Sequence, residues 1–263
     1  MRWSLLPLML LLACTPQAPD LSATVPKFQS TEKPPAPPLP QVVDEVVAHG
    51  PRTSNGVALT FDACSTRDSS KYDARITREL IVSNTPATIF LGGSWAREEE
   101  AHVKELAANP LFELGNHSYT HPHMTKVSPA RALKEMLDTQ AEVFALTGKQ
   151  PTLFRPPYGE YDSRLVKEAA KAGLTTVEYD LPSGDPDQHA TKERLVEWVL
   201  RKVKPGSIIV MHINHTKFHT SEALPGIIAG LRAKGLVPMT VSQLIGEAHD
   251  ERELVDATPE TKP

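Results

Sequence analysis

Two histidines four residues apart, His117 and His121, offer the imidazole nitrogens that divalent metal ions bind. Ten histidines in 263 residues make that spacing common by chance, so its meaning depends on the surrounding residues. Asp62 and His212 follow two other apolar runs of the chain. A carboxylate and a further imidazole beside a metal ion can accept and donate protons, so the set predicts metal-assisted hydrolysis.

The elements that must position these residues follow a β/α pattern. From Val57 onward, short apolar runs alternate with amphipathic segments, which is typical of β/α units on a parallel sheet. We predict seven strands, at residues 57–61, 87–91, 112–115, 152–154, 175–179, 207–211 and 238–241. Such strands fit an irregular barrel or an open doubly wound sheet, and the periodicity leaves both open.

Polar residues come just past the ends of four predicted strands, namely Asp62, Asn116-His117, Arg155 and His212. The carboxyl ends of parallel strands are where β/α folds assemble their sites. The clearest helix is predicted over residues 129–147, with Ser128 as N-cap, Pro129 in the first turn and Gly148 as the stop. A second helix is predicted after Thr191.

The first fourteen residues have the layout of an export signal, with Arg2 before the apolar residues 5–12. That stretch is shorter than the about 20 residues that a membrane span needs. Leu11-Leu12-Ala13-Cys14 resembles the bacterial lipobox, which implies an acylated Cys14 as the anchor and a signal peptide over 1–14. An aspartate at position 15 would resemble an inner-membrane retention signal, so Thr15 favours, in a Gram-negative host, the outer membrane on the side of the periplasm.

Residues 15–50 are predicted to form a proline-rich tether, because residues 34–40 are mostly proline and no periodicity is present. A leader without any reach requirement is the alternative. Residues 51–250 are predicted to form one catalytic domain, and 251–263 a flexible tail. The net charge of −4 gives no basic patch for nucleic acid, so no nucleic-acid partner is expected.

Five segments, in order, resemble the motifs of the polysaccharide deacetylase family, the NodB-homology group of carbohydrate esterases: residues 60–62, 116–121, 155–159, 180–185 and 209–212. The resemblance covers about residues 57–244. It implies an α/β fold, a distorted (β/α) barrel of about seven strands. Without it, the same residues fit a turn aspartate, loop histidines, a proline turn and a core histidine.

By this resemblance, Asp62 is the general base, and His117 and His121 bind a divalent metal ion, most plausibly Zn²⁺, with Co²⁺, Ni²⁺ or Mn²⁺ also accepted. Pro122 disfavours a helix at His121, so the pair is expected on a loop. His123 is not used in the family pattern.

The chain departs from the family at Ala63, where relatives have a second aspartate that binds the metal. Cys64, Asp68 or Asp73 could replace that ligand, and water could also fill the position. The sequence does not choose among them.

The remaining motifs imply supporting roles. Arg155 is expected to orient Asp62, and the backbone N–H of Tyr158 to hold the oxyanion. Asp185 is expected to pair with His212, raise its pKa and keep it protonated as the general acid. Asp180 is the alternative partner, and a plain loop turn at residues 184–186 stays open, since Pro186 replaces the usual tryptophan. His215 and His219 follow on a loop.

The resemblance implies a metal-dependent hydrolase that removes N-acetyl groups from polysaccharide containing N-acetylglucosamine at the cell envelope. Peptidoglycan, chitin-like polymer and biofilm polymer are the candidate partners. An ester deacetylase acting on O-acetylated xylan is one alternative. An inactive carbohydrate-binding homologue, motivated by Ala63, is another.

Overall fold

The computed structural model describes residues 45–66 and 71–246. Nine strands occur in this part of the chain: β1 Val46–Val47, β2 Gly56–Ala63, β3 Ala87–Leu91, β4 Phe112–Asn116, β5 Leu153–Phe154, β6 Thr175–Val177, β7 Leu181–Pro182, β8 Ile208–His212 and β9 Val237–Met239. The α-helices are α1 Ala74–Val82, α2 Gly93–Glu98, α3 Glu100–Ala108, α4 Pro129–Thr147, α5 Ser163–Lys171, α6 Lys192–Lys202 and α7 Thr220–Ala233. Short 3₁₀ turns occur at Met124–Lys126 and Pro157–Gly159.

The strands form one sheet in the order β1-β6-β5-β4-β3-β2-β8-β7, with β9 also paired to β2. Every named strand pair is parallel, so the carboxyl ends gather along one edge. The sheet is curled into a half-barrel with helices around it. The predicted distorted α/β barrel is confirmed.

The two faces of strand β2 carry different kinds of side chain. Its side chains alternate between faces, as in any strand. Leu59, Phe61 and Ala63 pack into the larger apolar core, which also contains residues of α1, α3, α6 and α7. Thr60 and Asp62 therefore project from the opposite face of the strand, where both are buried. This second face of β2 thus carries polar side chains beside the smaller apolar cluster that contains Ala58 and Phe90.

Helix α4 begins and ends as its sequence predicts. Ser128 Oγ accepts a hydrogen bond from Arg131 N at 3.3 Å, and Pro129 occupies the first turn. Gly148 ends the helix with a φ of 69°, a left-handed conformation that glycine adopts without a steric cost. The helix predicted after Thr191 is α6, which Thr191 caps through a bond from Arg194 N.

All seven predicted strands occur, with bounds shifted by one or two residues at most ends. The sequence did not predict β1 or β7, because two-residue strands carry no periodicity and β7 contains a proline. Strand β1 lies inside the segment 15–50 and pairs with β6, so the sheet begins within that segment.

Several expectations fall on residues that the structure does not describe. They are the signal over 1–14 with Cys14, most of the tether, Asp68 and the tail 251–263. Among the helices of residues 45–66 and 71–246, none has the length and apolar character needed to cross a membrane.

Candidate active site

Asp62 and Arg155 form a buried ion pair beneath the carboxyl edge of the sheet. Arg155 Nη1 donates to Asp62 Oδ1 at 2.9 Å and to Thr60 Oγ1 at 2.7 Å, so the guanidinium spans two successive inward positions of β2. Arg155 is fully buried, and its guanidinium lies 4.1 Å from the centre of the Phe90 ring. The predicted contact between Arg155 and Asp62 is present.

Burial is the largest influence on the pKa of Asp62 and raises it. The positive charge of Arg155 opposes this effect, helped by His117 and His212, and the pKa ends below its ordinary value. Asp62 is therefore an ionised carboxylate at neutral pH. One of its oxygens is held by Arg155, and the other, Oδ2, lies 3.9 Å from His117 Nε2.

His117 follows β4 and is held by its backbone and its ring. Its N–H donates to Leu91 O at 2.9 Å. Its Nδ1 lies 2.8 Å from the carbonyl oxygen of Arg155. Because a carbonyl only accepts, Nδ1 carries a hydrogen, and Nε2 faces the cleft towards Cys64 and Asp62. This second contact is the arrangement that fixes a histidine as a metal ligand.

His121 lies on the loop after β4, and its φ of 57° is in the left-handed region. Ser118 and Tyr158 also have positive φ values, of 60° and 62°. Such conformations strain residues other than glycine and concentrate at functional sites. Within the described part of the chain, Nδ1 of His121 is buried and has no hydrogen-bond partner.

Cys64 completes a cluster of potential metal ligands with the two histidines. Its Sγ lies 3.7 Å from His117 Nε2, and one ligand atom from each of the three residues lies within 4.8 Å of the others. All three side chains are buried. Burial raises the pKa of Cys64. Hydrogen bonds with His117, His121 and His212 together have the larger effect and hold this pKa well below its ordinary value. The donor set and the orphaned nitrogen of His121 fit a divalent ion.

His212 ends β8 and is bound to Asp185 twice. The two side chains meet at 3.0 Å between His212 Nδ1 and Asp185 Oδ1, and the backbone N–H of His212 donates to Asp185 Oδ2 at 2.8 Å. Ser183 and Thr220 hydroxyls donate to the same carboxylate. Burial lowers the pKa of His212, but the charge and hydrogen bond of Asp185 raise it well above its ordinary value.

These residues line one cleft of about 310 Å³, whose walls include Asp62, Cys64, His117, His121, Tyr158 and His212. Tyr158 lies at its rim with 55% of its surface exposed. The Tyr158 ring stacks on His123 with centroids 4.2 Å apart, and its hydroxyl donates to His121 O at 3.3 Å. Asp185 also borders this cleft, so the structure gathers all seven predicted site residues: six border the cleft, and Arg155 lies beneath Asp62.

The alternatives named from the sequence lie elsewhere. Asp180 accepts hydrogen bonds from Ile208 N and Ser207 Oγ at the start of β8, and pairs with Arg52 at 2.7 Å. It therefore stands at the opposite end of the strand from His212. Asp73 is the N-cap of α1 and is paired with Arg75.

The additional histidines bind neighbours around the site. His123 Nδ1 lies 2.9 Å from Glu160 Oε2, and His219 Nδ1 lies 2.8 Å from Glu222 Oε2. His215 stacks on Phe218 with ring centroids 4.4 Å apart. Its pKa is lowered by burial and by the charge of His212.

Three supporting residues were missed by the sequence reasoning. The Glu135 carboxylate accepts hydrogen bonds from Tyr119 N and Thr120 N in the histidine loop, at 2.9 and 2.7 Å. Asn214 Nδ2 donates to Cys64 O at 2.8 Å. Burial raises the pKa of Glu178 to about 7. The single sequence gave no signal for them beyond a polar residue in an apolar surrounding.

Comparison with known proteins defines the class. The sequence profile named Polysaccharide deacetylase matches residues 49–177. A bifunctional xylanase/xylan deacetylase of Cellvibrio japonicus is 31% identical over 201 residues, which cover 76% of this chain and 29% of that protein. Peptidoglycan-N-acetylglucosamine deacetylase PgdA of Listeria monocytogenes is 30% identical over 197 residues, covering 74% of this chain and 40% of that protein. The chain therefore spans less than half of these two relatives.

Solved structures agree with the sequence relatives. A family 4 carbohydrate esterase from Streptomyces lividans, in complex with acetate, is 34% identical with a TM-score of 0.61, covering 69% of this chain and 90% of that one. A CE4 family pseudoenzyme from Bacillus anthracis is 27% identical with a TM-score of 0.71, covering 78% and 70%. The chain belongs to the polysaccharide deacetylase family, carbohydrate esterase family 4.

Proposed function

We propose that this protein is a metal-dependent hydrolase that removes N-acetyl groups from polysaccharide containing N-acetylglucosamine. One observation carries the proposal. A buried carboxylate, Asp62, and an imidazole paired with a carboxylate, His212, line the same cleft as the histidine and cysteine cluster. A proton acceptor, a proton donor and a cation site are the three parts that metal-assisted hydrolysis of an amide needs.

His117 and His121 are proposed to hold the ion, and Zn²⁺ fits their nitrogen donors best. Co²⁺, Ni²⁺ and Mn²⁺ are the other candidates. When bound, such an ion lowers the pKa of water and polarises an acyl oxygen. The tautomer fixed by the Arg155 carbonyl presents Nε2 of His117 to the cleft, which supports this assignment.

The chain's own residues account for the proton movements. Asp62 takes a proton from the attacking water through the carboxylate oxygen that Arg155 leaves unbound. The backbone N–H of Tyr158 donates to the oxyanion that forms when the water oxygen bonds to the acetyl carbon. His212, held by Asp185, gives a proton to the departing amine as the carbon–nitrogen bond breaks. The products are acetate and a free amino sugar.

The test is acetate release from N-acetylated chitooligosaccharides and from peptidoglycan, measured after chelation and after adding back Zn²⁺ or Co²⁺. We expect chelation to abolish release and either ion to restore it. His117→Ala should lose the ion itself, as elemental analysis would show, with His219→Ala as a matched control outside the cluster. Full activity in the chelated protein would rule out the metal-dependent proposal.

Two alternatives have specific support. The Cellvibrio japonicus relative is named a xylan deacetylase, which favours comparing release from acetylated xylan with release from the chitooligosaccharides. Faster release from xylan would assign an O-acetyl esterase. Ala63 and the likeness to a pseudoenzyme favour an inactive glycan-binding homologue. Glycan binding without turnover at any added divalent ion would assign that role.

We further propose that the protein is exported and anchored at the cell envelope. The lipobox-like sequence before Cys14 supports a signal over 1–14 and an acylated Cys14. The part of residues 15–50 that precedes β1 would then tether the catalytic domain, with a short tail over 251–263. The relatives that deacetylate peptidoglycan support an envelope polymer as the partner. With a net charge of −4, no nucleic-acid partner is proposed.

A further inference from the structure

The residue that replaces the missing aspartate is fixed by its place in the sheet. Ala63 is the last residue of β2 and packs in the apolar core with Leu59 and Phe61, on the side away from the cleft. The chain leaves the strand after Ala63, and the next side chain, Cys64, lines the cleft. A side chain at position 64 thus reaches the place where the site needs a third donor.

The backbone of Cys64 is held in that position. The side chain of Asn214, which is fully buried, donates to the carbonyl oxygen of Cys64 at 2.8 Å. The preceding carbonyl, of Ala63, accepts from Gly92 N at 2.9 Å. A Cβ atom added at Gly92 would lie 2.8 Å from Ser65 N and 2.9 Å from Ala63 O, so the close contact between these two backbone segments requires glycine. The backbone on both sides of the bond between Ala63 and Cys64 is therefore held by hydrogen bonds.

The distance between Cys64 Sγ and His117 Nε2 matches coordination of one ion by sulfur and nitrogen. With bonds of about 2.3 Å to sulfur and about 2.0–2.1 Å to nitrogen, a tetrahedral zinc ion keeps the two donor atoms roughly 3.6 Å apart. Cys64 Sγ and His117 Nε2 are 3.7 Å apart. A ligand atom of His121 lies within 4.8 Å of both, and the buried Nδ1 of that ring has no hydrogen-bond partner among the described residues.

We propose that Cys64 is the third protein ligand, so that the site binds its ion through two imidazole nitrogens and one thiolate. This inference rests on the proposed metal site at His117 and His121. Binding exchanges the S–H bond of Cys64 for a sulfur–metal bond and releases the proton to solvent. Thiolate donors favour Zn²⁺ and Co²⁺ over Mn²⁺ and Mg²⁺, so the substitution changes the metal preference of the site.

The test uses the absorption spectrum of the full chain titrated with Co²⁺ after chelation. A thiolate ligand gives a charge-transfer band in the near ultraviolet that nitrogen and oxygen ligands do not give. We expect the band at one equivalent of Co²⁺ in the wild type. Cys14→Ser, which removes the other cysteine of the chain, should keep the band, and Cys64→Ser should lose it. Zinc affinity in Cys64→Ser should fall by more than the about 10–100-fold that loss of an outer-shell partner costs.

Each outcome decides. Stoichiometric Co²⁺ binding without the band, with equal zinc affinity in Cys64→Ser, would overturn the thiolate ligand and leave the two-histidine site standing. Failure of the wild type to bind one equivalent of Co²⁺ or Zn²⁺ would overturn both this inference and the metal site of the proposed function. X-ray absorption of the zinc-loaded wild type needs no variant, and a sulfur neighbour at about 2.3 Å is expected.

A further variant at position 64 distinguishes the effect of the ligand's negative charge on metal preference from the effect of its sulfur atom. Cys64→Asp keeps a negative ligand but replaces sulfur by oxygen, so the ratio of Zn²⁺ to Mn²⁺ affinity should fall relative to the wild type. Competition between the two ions, followed by elemental analysis of the purified full chain, measures that ratio. An unchanged ratio would contradict the proposed role of the sulfur.

Discussion

Asp62 has two oxygens with different surroundings, and this asymmetry defines its proposed role. Oδ1 is bound to the fully buried guanidinium of Arg155. Oδ2 faces the cleft, 3.9 Å from the ring nitrogen of His117. A carboxylate oriented through one oxygen keeps the other in fixed register for a proton. Arg155 is accordingly a positioning residue, and Asp62 is the group that meets water.

Asp185 acts on the reaction through His212. Replacing its carboxylate in Asp185→Asn removes the charge that stabilises the protonated ring, so kcat should fall by about 10²–10⁴-fold. Zinc content should stay near that of the wild type, because Asp185 does not belong to the ligand cluster. Steady-state kinetics with elemental analysis would measure both quantities.

Asp180→Asn is the matched control, since Asp180 makes the same kind of bond to β8 at its opposite end. This variant should lose stability but keep kcat within a few-fold of the wild type. Equal losses of kcat in the two variants would show that the Asp185 effect is structural.

The sequence predicted residues that the structure gathers at one cleft, but it left the proposed third metal ligand open. The order of the motifs named Asp62, both loop histidines and His212. Cys64, Asp68 and Asp73 all follow the same strand, so the sequence does not distinguish them as ligands. In the structure, Cys64 lines the cleft and Asp73 caps a helix, while Asp68 lies outside the described residues. The bend of the chain after Ala63 carries no signature in a single sequence.

Helix α4 supports the histidine loop from one side. Glu135, which is almost fully buried, accepts hydrogen bonds from two backbone N–H groups and the Thr120 hydroxyl of that loop. Arg131 on the same helix binds the carboxylate, with Arg131 Nε 2.9 Å from Glu135 Oε1. The loop contains strained residues, so its shape depends on such external bonds.

We expect Glu135→Gln to lower zinc affinity by about 10–100-fold, because an amide replaces one of the two accepting oxygens with a donor. Competition with a chromophoric chelator would measure the affinity. Glu142→Gln is the matched control on the same helix, where Glu142 accepts a hydrogen bond from the Tyr119 hydroxyl at 3.4 Å. Unchanged zinc affinity in Glu135→Gln would contradict the role assigned to α4.

The end of β6 carries a second supporting carboxylate, Glu178. Burial is the main reason that its pKa rises from 4.5 to about 7, and Asp62 adds to the rise while Arg155 and His117 oppose it. Between about pH 4.5 and 7, the folded protein therefore keeps a proton on Glu178 that the unfolded chain has already lost. Stability from this group is full below that window and is lost as the pH rises through 7.

The shift corresponds to roughly 3 kcal/mol of unfolding free energy. In Glu178→Gln, which stays neutral, unfolding free energy should fall less between pH 5 and 8 than in the wild type. Urea denaturation with a chelator present would measure it. Glu197→Gln, at an exposed ion pair, should keep the wild-type slope. An identical slope in Glu178→Gln would contradict the assignment.

Elements with strong local signals were the predictable ones. The caps and periodicity of α4 defined it to the residue, and the apolar runs of β2, β3, β4 and β8 located those strands. Strands β1 and β7 exist because neighbouring strands offer them unpaired backbone groups, which is a tertiary effect. Barrel and open sheet share one periodicity, so the choice between them came from the family resemblance.

In the whole protein, we expect the proposed lipid anchor to determine membrane association without affecting the activity of the catalytic domain. Cys14→Ala should release the protein from the membrane fraction into the soluble fraction, because the acylated cysteine would be lost. Its kcat on a soluble chitooligosaccharide should equal that of the wild type. Fractionation with mass spectrometry of the N-terminus would measure this. A variant that stays with the membrane would contradict the lipid anchor.

The proposed mechanism is tested most directly by the rate of acetate release from an N-acetylated chitooligosaccharide by zinc-loaded wild type and by Asp62→Asn at matched zinc content. We expect sustained turnover by the wild type and a rate lower by about 10²–10⁴-fold in the variant, because the amide cannot accept the proton. Equal rates in the two proteins, or no turnover by the zinc-loaded wild type, would contradict it.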